Sequence, residues 1–256
     1  MGVVNVTPDS FSDGGKFFDT KAAVAHARRL LDEGADILDI GGESSRPGAL
    51  PVSVPAELER ILPVLEALKG LEKPISVDTR RAEVMQAALN AGASMINDIE
   101  ALTAPGALEA VAKSRCAVCL MHMKGQPATM QQEPHYDDVV GEVAGFLKSR
   151  VDAAVQAGIA RERIVVDPGF GFGKTAAHNM ELLRRLKEFS ALNLPVLAGW
   201  SRKSTLGKLT GRPADERLAA SLAAALLALQ GGATILRVHD VKETRDVIAV
   251  WQAYKG

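Results

Sequence analysis

The segment GADILD at positions 34–39 holds the pattern that decides the fold, because GASMIN at 92–97 and GATILR at 232–237 repeat it. In each segment a glycine ends a helical stretch, an apolar strand follows, and a polar residue stands five positions after the glycine. Glycine is the residue that most readily adopts the left-handed conformation with which many helices end. Each repeat therefore predicts a step from a helix into a buried strand.

The same alternation extends over the rest of the chain. Apolar runs at 2–6, 36–42, 74–79, 94–99, 117–123, 163–169, 195–200 and 234–240 are predicted strands. Amphipathic stretches at 20–33, 55–69, 81–91, 105–113, 136–157, 177–188, 214–230 and 241–254 are predicted helices. Runs that are apolar on both faces suit a parallel sheet covered by helices. Eight such units in 256 residues predict one α/β domain over residues 1–256, a (β/α)8 TIM barrel, with a doubly wound open sheet as the alternative.

Composition excludes several classes of function. With 30 basic and 31 acidic residues the net charge is −1, so no strong electrostatic footprint for nucleic acid or a membrane surface exists. The longest apolar stretch, at 219–229, is too short to span a bilayer. The opening MGVVNVTPDS has no basic region, so no secretory signal is expected.

The two cysteines, Cys116 and Cys119, form a C-x-x-C pattern, which is found in redox motifs and in half of a zinc site. No second pair at zinc spacing accompanies them. The segment also has the pattern of a buried strand, in which residues three apart point to opposite faces. We therefore expect two buried free thiols, which fit a reducing cytoplasm.

Polar residues collect at the predicted C-terminal ends of the strands, which in a β/α barrel form the active-site face. They are Asn5, Asp39, Asp78, Asn97, Met121 with His122, Asp167, Arg237 and His239. Arg237 and His239 stand two apart and share a face, which suits an anionic group. Asp78, Asn97 and Asp167 offer acceptors for a heteroaromatic ring with amino and ring N–H donors. Metal binding by the two aspartates is the alternative, although no His-x-His or Glu-x-x-His pattern accompanies them.

Two long loops follow the first two predicted strands. TPDSFSDGG at 7–15 carries Asp9, Phe11 and Asp13, and GGESSRPGA at 41–49 carries Arg46 between small residues. Their composition also suits plain linkers. Because both lie at the predicted active face, a mobile lid is the favoured interpretation.

Two further loops carry aromatic or basic residues. DPGFGFGKT at 167–175 is one residue short of a P-loop, which argues against an ATPase, and its Phe172 suits the wall of an aromatic ligand site. Phe170 suits such a wall or the core equally. In GWSRKSTLGKLTG at 199–211, Arg202 and Lys203 precede a short helix with Ser204 as its predicted N-cap, a typical anion site. A Schiff-base lysine is the alternative, but the polar S-R-K-S setting does not favour the low pKa it needs.

Taken in order, these segments resemble the dihydropteroate synthases. The resemblance rests on NVTPDSFSDGG (5–15), DIGGESSRPGA (39–49), SVDT (76–79), INDI (96–99), MHM (121–123), DPGFGFGK (167–174), SRKS (201–204) and RVHDV (237–241). It implies a cytoplasmic, homodimeric transferase that uses Mg²⁺ and at which sulfonamides would compete with p-aminobenzoate. The implied reaction joins 6-hydroxymethyl-7,8-dihydropterin pyrophosphate to p-aminobenzoate and releases pyrophosphate.

The resemblance also implies roles for individual residues. Asp78, Asn97, Asp167 and Lys203 would hold the pterin between Met121 and Phe172, while Asn5, Arg237 and His239 would hold the pyrophosphate, with Mg²⁺ near Asn5. Ser45, Arg46 and Asp13 would belong to the loop-built part, and Phe11, Pro47 and Ser204 would border the aminobenzoate. Asp78, Lys203, Arg237 and His239 are the expected catalytic groups. A carbocation-like step suits this set, and a direct displacement stays open.

Three departures from the family pattern and two rival functions remain. The chain opens directly on the first strand, which suggests a trimmed N-terminus; Ser45 stands where threonine is common; and Trp200 is expected to reshape the rim of the site. The rivals are a non-catalytic pterin-binding protein and a methyltetrahydrofolate-type methyltransferase. The apolar helix at 220–230 either covers the barrel or packs against a second subunit.

Overall fold

The computed structural model describes residues 1–7, 15–46 and 48–256. The strands are β1 Gly2–Asn5, β2 Leu38–Gly41, β3 Ile75–Asp78, β4 Met95–Asp98, β5 Ala117–Met121, β6 Ile164–Asp167, β7 Leu197–Ala198 and β8 Ile235–Leu236. The helices are α1 Gly15–Asp32, α2 Val54–Ala67, α3 Ala82–Asn90, α4 Ala107–Ala112, α5 Val139–Gln156, α6 Ala176–Arg184, α7 Ser204–Thr210, α8 Leu218–Gln230 and α9 Val241–Lys255. Phe11, Asp13 and Pro47, predicted site residues, lie outside the described residues.

The strands form a ring. Strands β1 to β6 pair in sequence order, every pair parallel, and β7 pairs with β8. Single bridges between Val166 and Val196 and between Gly2 and Val238 join the two sheets on both sides. Eight parallel strands linked in this order make a TIM barrel, so the predicted fold is confirmed and the open sheet is excluded.

The alternation of side chains along the strands separates two apolar layers. Met95, Cys119, Val165 and Leu197 pack together as one cluster, while Cys116 belongs to a larger cluster shared with the helices. Residues of one parity thus fill the barrel, and residues of the other parity lie beneath the helices. The two cysteines are buried free thiols in different layers, as the sequence predicted.

The glycines of the three repeated segments have the predicted conformation. Gly34, Gly92 and Gly232 have φ angles of +97°, +104° and +98°. Each lies two residues beyond the end of a helix, and a strand begins within four residues. The repeat therefore fixes where three of the strands enter the barrel.

Several predicted boundaries were wrong in detail. Strands β7 and β8 contain two residues each, so Arg237 follows β8 rather than lying within it. Helix α6 ends at Arg184 and a 3₁₀ segment, Leu186–Leu192, replaces its predicted end. Another 3₁₀ turn, Ala214–Glu216, precedes α8. Within the described residues, no helix combines the length and apolarity needed to cross a bilayer.

Trp200 also departs from expectation, because it does not form the rim of the site. It is 2% exposed, and its ring lies 4.7 Å from that of Phe170, measured between centroids. A large aromatic at this position fills the layer behind the cavity. Phe170 therefore serves both proposed purposes, since it packs in the core and also contributes to the cavity wall.

Candidate active site

A cavity of about 470 Å³ opens at the C-terminal ends of the strands. Twelve predicted site residues line it: Asn5, Ser45, Arg46, Asp78, Asn97, Met121, Asp167, Phe172, Lys203, Ser204, Arg237 and His239. They come from strands and loops far apart in sequence. Parallel strands gather their carboxyl ends at one face, which explains why residues from separate strand ends share one cavity.

The polar residues of the three sequence repeats meet beneath this cavity. One carboxylate oxygen of Asp39 accepts hydrogen bonds from Arg237 Nε at 2.6 Å and from the amide nitrogen of Asn97 at 3.2 Å. Asp39 is fully buried. The sequence analysis placed Asp39 among the polar strand ends of the active-site face but gave it no role in binding or catalysis. The internal repeat thus builds the floor of the site.

Arg237 joins two carboxylates. Its Nη2 donates to Asp78 at 2.8 Å while its Nε donates to Asp39. Burial raises the pKa of Asp78 to about 7; Arg237 opposes the rise, and Asp39 adds to it. Burial alone would lower the pKa of Arg237, but the two carboxylates outweigh it and the pKa rises. The guanidinium is therefore permanently charged and held in a fixed orientation.

Lys203 lines the same cavity and lies over the ring of Phe172, with Nζ 4.1 Å from the ring centroid. Burial and the nearby Arg237 lower the pKa of Lys203 to about 8, although Asp167 and Asp78 oppose the change. The polar S-R-K-S segment did not favour a low pKa for Lys203, whereas in the structure its side chain is half-buried and packs against an aromatic ring. This geometry allows Lys203 to donate hydrogen bonds beside an aromatic wall.

Asp167, at the end of β6, faces the same cavity. One of its oxygens accepts from the backbone N–H of Gly169 at 2.7 Å. Burial raises the pKa of Asp167 to about 6; the Gly169 hydrogen bond and the positive charge of Lys203 oppose the rise. The carboxylate is therefore a directed acceptor held by its own loop.

His239 is held by a serine that the predicted site did not include. Ser201 Oγ lies 3.0 Å from His239 Nδ1 and also accepts from the His239 backbone N–H at 3.2 Å. Burial, then Arg237 and Arg202, lower the pKa of His239 to about 3. The imidazole is thus neutral at physiological pH, and it offers a hydrogen bond rather than a charge. Ser201 opens the SRKS segment, which was the signal for it.

Helix α7, which follows β7, begins one residue earlier than predicted. Lys203 is the N-cap residue of α7, and Ser204 is the first helical residue, so the predicted N-cap was wrong. No side-chain hydrogen bond caps this end. Ser204 lines the cavity at the start of the helix.

A half-buried ion-pair network fixes the base of the loop after β2. Glu43 accepts hydrogen bonds from Arg80, Arg81 and the backbone N–H of Val52. The bond to Val52, at 2.9 Å, joins the two ends of the loop that carries Ser45. The network was not predicted, because the spacing of Glu43 and the arginines in sequence does not place them together. It limits where the loop enters and leaves the cavity.

The sequence profile of a family described as pterin binding enzymes matches residues 1–239. Dihydropteroate synthase of Haemophilus influenzae is 51% identical over 254 residues, which cover 99% of this chain and 92% of that protein. The enzyme of Escherichia coli K12 is 52% identical, and the match covers 99% of this chain and 90% of that protein.

Solved structures agree in fold. Dihydropteroate synthase of Xanthomonas albilineans with 4-aminobenzoic acid is 56% identical with a TM-score of 0.95, covering 100% of this chain and 92% of that one. The Yersinia pestis enzyme, in complex with a sulfonamide drug, is 49% identical with a TM-score of 0.95, covering 100% and 93%. The chain therefore belongs to the pterin-binding enzymes and, among them, to the dihydropteroate synthase family.

Proposed function

We propose that this chain is a transferase that joins 6-hydroxymethyl-7,8-dihydropterin pyrophosphate to p-aminobenzoate, giving 7,8-dihydropteroate and pyrophosphate. One observation carries the proposal. A single cavity places the acceptors Asp78, Asn97 and Asp167 next to the anion-binding pair Arg237 and His239. A pterin with a pyrophosphate on its methylene group needs both sets of partners on one molecule. A structure from Xanthomonas albilineans in complex with 7,8-dihydropteroate, 54% identical with a TM-score of 0.92, supports the assignment.

The pterin half of the substrate would lie across the acceptor side. Its amino and ring N–H groups would donate to Asp167, Asn97 and Asp78, and Lys203 would donate to a ring acceptor. Met121 is buried at the end of β5 and lines the cavity, and Phe172 lines it beside Lys203. These two side chains would form the walls on the faces of the ring. Carboxylates matched to ring donors also discriminate against analogues that lack those donors.

The pyrophosphate would lie against Arg237, His239 and Asn5. Arg237 supplies a permanent charge and planar donors, and the neutral imidazole of His239 supplies an uncharged hydrogen bond. When the C–O bond breaks, negative charge grows on the departing pyrophosphate. Donors that are already oriented toward that position lower the barrier, by roughly 3–4 kcal/mol for a donor of the oxyanion-hole type.

We propose that Mg²⁺ takes part in the reaction, because the side chain of Asn5 is a suitable ligand for it. An amide oxygen is a ligand that Mg²⁺ accepts, and Mg²⁺ is typically held by one or two protein oxygens together with substrate phosphates and water. No group of three or more His, Cys, Asp and Glu side chains able to hold a metal occurs among the described residues. Asn5 would therefore act together with the pyrophosphate oxygens. When bound, the ion would neutralise charge on the leaving group.

The chemical step breaks the bond between the pterin methylene carbon and a pyrophosphate oxygen, whose electron pair leaves with pyrophosphate. The amine nitrogen of p-aminobenzoate forms the new bond to that carbon and then loses a proton. Asp78 lies 2.8 Å from Arg237, at the junction between the pterin and pyrophosphate positions. Its carboxylate would stabilise positive charge that develops on the pterin, and we favour a carbocation-like step for that reason.

The p-aminobenzoate would enter over Ser45, Arg46 and Ser204, with Phe11 and Pro47 also bordering it and Asp13 on the first loop. An aryl amine is a weak nucleophile that depends on placement more than on activation, which loops closing over the site would supply. Sulfonamides would compete for this position.

We further propose that the chain works as a homodimer in the cytoplasm. Leu227 on α8 is 46% exposed, and α8 packs on α9, where Val250 is 68% exposed. A contiguous apolar surface on neighbouring helices is typical of subunit contacts, and these two side chains would contribute to one. Two buried free thiols, Cys116 and Cys119, suit a reducing compartment.

The test is pyrophosphate release from the pterin pyrophosphate with Mg²⁺, measured with and without p-aminobenzoate, alongside dihydropteroate formation. We expect release that depends on aminobenzoate and equals the dihydropteroate formed. Asp78→Asn is expected to abolish most of it. Pterin binding without release would refute the transferase and support a non-catalytic pterin-binding protein.

A further inference from the structure

Lys174 is a buried lysine that the proposed reaction does not use. It lies in the loop between β6 and α6, and the sequence distinguished it only as the lysine of an incomplete P-loop. The residue is 2% exposed, and the described lining of the active-site cavity does not include it. Enclosing an ammonium group is energetically unfavourable unless it is well bonded, so its contacts indicate what it does.

The Lys174 Nζ lies within hydrogen-bonding distance of four polar atoms, none of which belongs to a carboxylate. Nζ lies 2.9 Å from the carbonyl oxygen of Gly169, 3.0 Å from that of Phe172 and 3.3 Å from that of His122. It also lies 2.9 Å from Nδ1 of His122. All three N–H donors of the ammonium therefore have acceptors within reach, while burial lowers the pKa of Lys174 to about 7 and the charge of Asp167 opposes that change. Lys174 therefore ties two carbonyl groups of its own loop to the end of β5.

That loop carries the pterin side of the cavity. Asp167 precedes it, and Phe170, Gly171 and Phe172 within it all line the cavity. The two carbonyl groups held by Lys174 belong to residues on either side of Gly171. The position of the Phe172 ring beside Lys203 thus depends on a backbone that Lys174 holds in place.

The loop backbone would not hold this shape unaided. Gly169, Gly171 and Gly173 have φ angles of +69°, +83° and +62°, and glycine backbones have many alternative conformations. Other side chains also bind this loop: Gln131 donates to the Gly171 carbonyl at 2.5 Å, Tyr136 donates to the Gly173 carbonyl at 2.8 Å, and Asn179 accepts from the Gly171 N–H at 2.7 Å. Lys174 is distinct because it reaches two loop carbonyls and β5 at once.

We propose that Lys174 is a positioning residue for the pterin half of the active site, holding the Gly169 and Phe172 carbonyls so that the Phe172 ring and the Asp167 carboxylate meet the ring of the substrate. The proposal rests on the proposed function for the identity of that ligand. Lys174 does not touch substrate. Its removal is expected to alter pterin affinity while leaving the Arg237 side of the cavity intact.

The test compares Lys174→Met with Lys208→Met, which removes an exposed lysine from α7. Affinities for 6-hydroxymethyl-7,8-dihydropterin and for inorganic pyrophosphate with Mg²⁺ are measured by calorimetry. Small displacements of positioning groups have large effects, so we expect pterin binding to weaken about tenfold or more in K174M. Pyrophosphate affinity is expected to stay within about twofold in both variants, and K208M is expected to match the parent protein.

A spectroscopic measurement reports on the loop directly. Trp200 packs on Phe170 of the loop, so its fluorescence in a Trp251→Phe background follows the position of Phe170. We expect the K174M emission to shift and the K208M emission to stay unchanged. If K174M does not fold, Lys174→Gln, which retains an N–H donor at a shorter reach, carries the same measurements with a smaller effect.

Two outcomes would overturn the proposal. One is pterin binding in K174M within about twofold of the parent. The other is a parallel loss of pterin and pyrophosphate binding, which a general loss of structure would produce. Failure of the proposed function is distinguishable, because it would show in the parent protein as binding of pterin without dihydropteroate formation.

Discussion

Replacing Asp39 by asparagine tests whether the buried carboxylate beneath the cavity orients Arg237. Asparagine keeps the shape and one acceptor oxygen but removes the charge. The Asp39–Arg237 contact is 2.6 Å long, Asp39 is fully buried, and the Arg237 side chain is 21% exposed, so solvent screening is limited. A charge-assisted hydrogen bond in such a setting contributes about 1.5–3 kcal/mol. If that energy serves to hold Arg237 toward the leaving group, kcat/KM falls by roughly 10- to 150-fold.

The assay is kcat/KM for the pterin pyrophosphate, from pyrophosphate release, with thermal unfolding recorded on the same samples. Asp36→Asn is the matched control, because Asp36 forms an exposed ion pair with Arg245 at 3.4 Å. Exposed pairs contribute little, so the control is expected to stay within about twofold. A value of kcat/KM for D39N equal to that of D36N, with both proteins folded, would refute the view that Asp39 positions Arg237.

Asp78, Gly169 and Leu227 provide the remaining predictions. Burial raises the pKa of Asp78 to about 7, so kcat/KM is expected to rise with pH through that value as the carboxylate ionises, and D78N is expected to lose this rise. The effect of pH on stability has the opposite sign, because the folded protein binds the Asp78 proton more tightly than the unfolded chain does. This contribution to the free energy of unfolding is complete below the usual aspartate pKa of 3.8 and is lost as pH rises through about 7. Urea titrations at several pH values measure it. Gly169→Ala is expected to lower the free energy of unfolding by more than about 2 kcal/mol, because φ at this position is +69° and the new Cβ would lie against the His122 carbonyl oxygen. Gly145→Ala, which faces open space on α5, is expected to raise it by up to about 1 kcal/mol in the same unfolding assay. Leu227→Glu on α8 is expected to convert a dimer to monomers in light scattering, and an unchanged mass would contradict the proposed interface.

The sequence predicted the architecture because its signals are local. A glycine with a left-handed backbone, an apolar run and a polar strand end each depend on neighbours within a few residues. The repeats at Gly34, Gly92 and Gly232 were correct for that reason. The alternation of strands and helices then predicted parallel strands. Parallel strands place their C-terminal residues on one face, so the shared face could be predicted without knowing the contacts of those residues.

The partners of the site residues were not predictable in the same way. Arg237 was expected to face an anion, yet in the structure it donates to Asp39 and Asp78, which lie 198 and 159 residues away in sequence. The surroundings of Lys203 could not be predicted from its neighbours in sequence. The adjacent residues of S-R-K-S are polar, whereas the Lys203 ammonium packs on the ring of Phe172, which lies on another loop. Long-range contacts determine burial, and burial determines pKa.

The charges around the cavity explain why a metal ion fits the proposed reaction. Arg237 is matched by Asp39 and Asp78, and Arg202 is matched by Asp240. His239 adds no charge, since burial and the nearby arginines lower its pKa to about 3. Within the described part of the chain, two of the cations near His239 are therefore already paired with carboxylates before a multiply charged anion arrives, and Arg46 is a third cation near it. Mg²⁺ bound to that anion would add the positive charge that balances it. Arg237, held by its two carboxylates, would instead orient the leaving group through hydrogen bonds of fixed direction, which an ion held partly by water cannot provide.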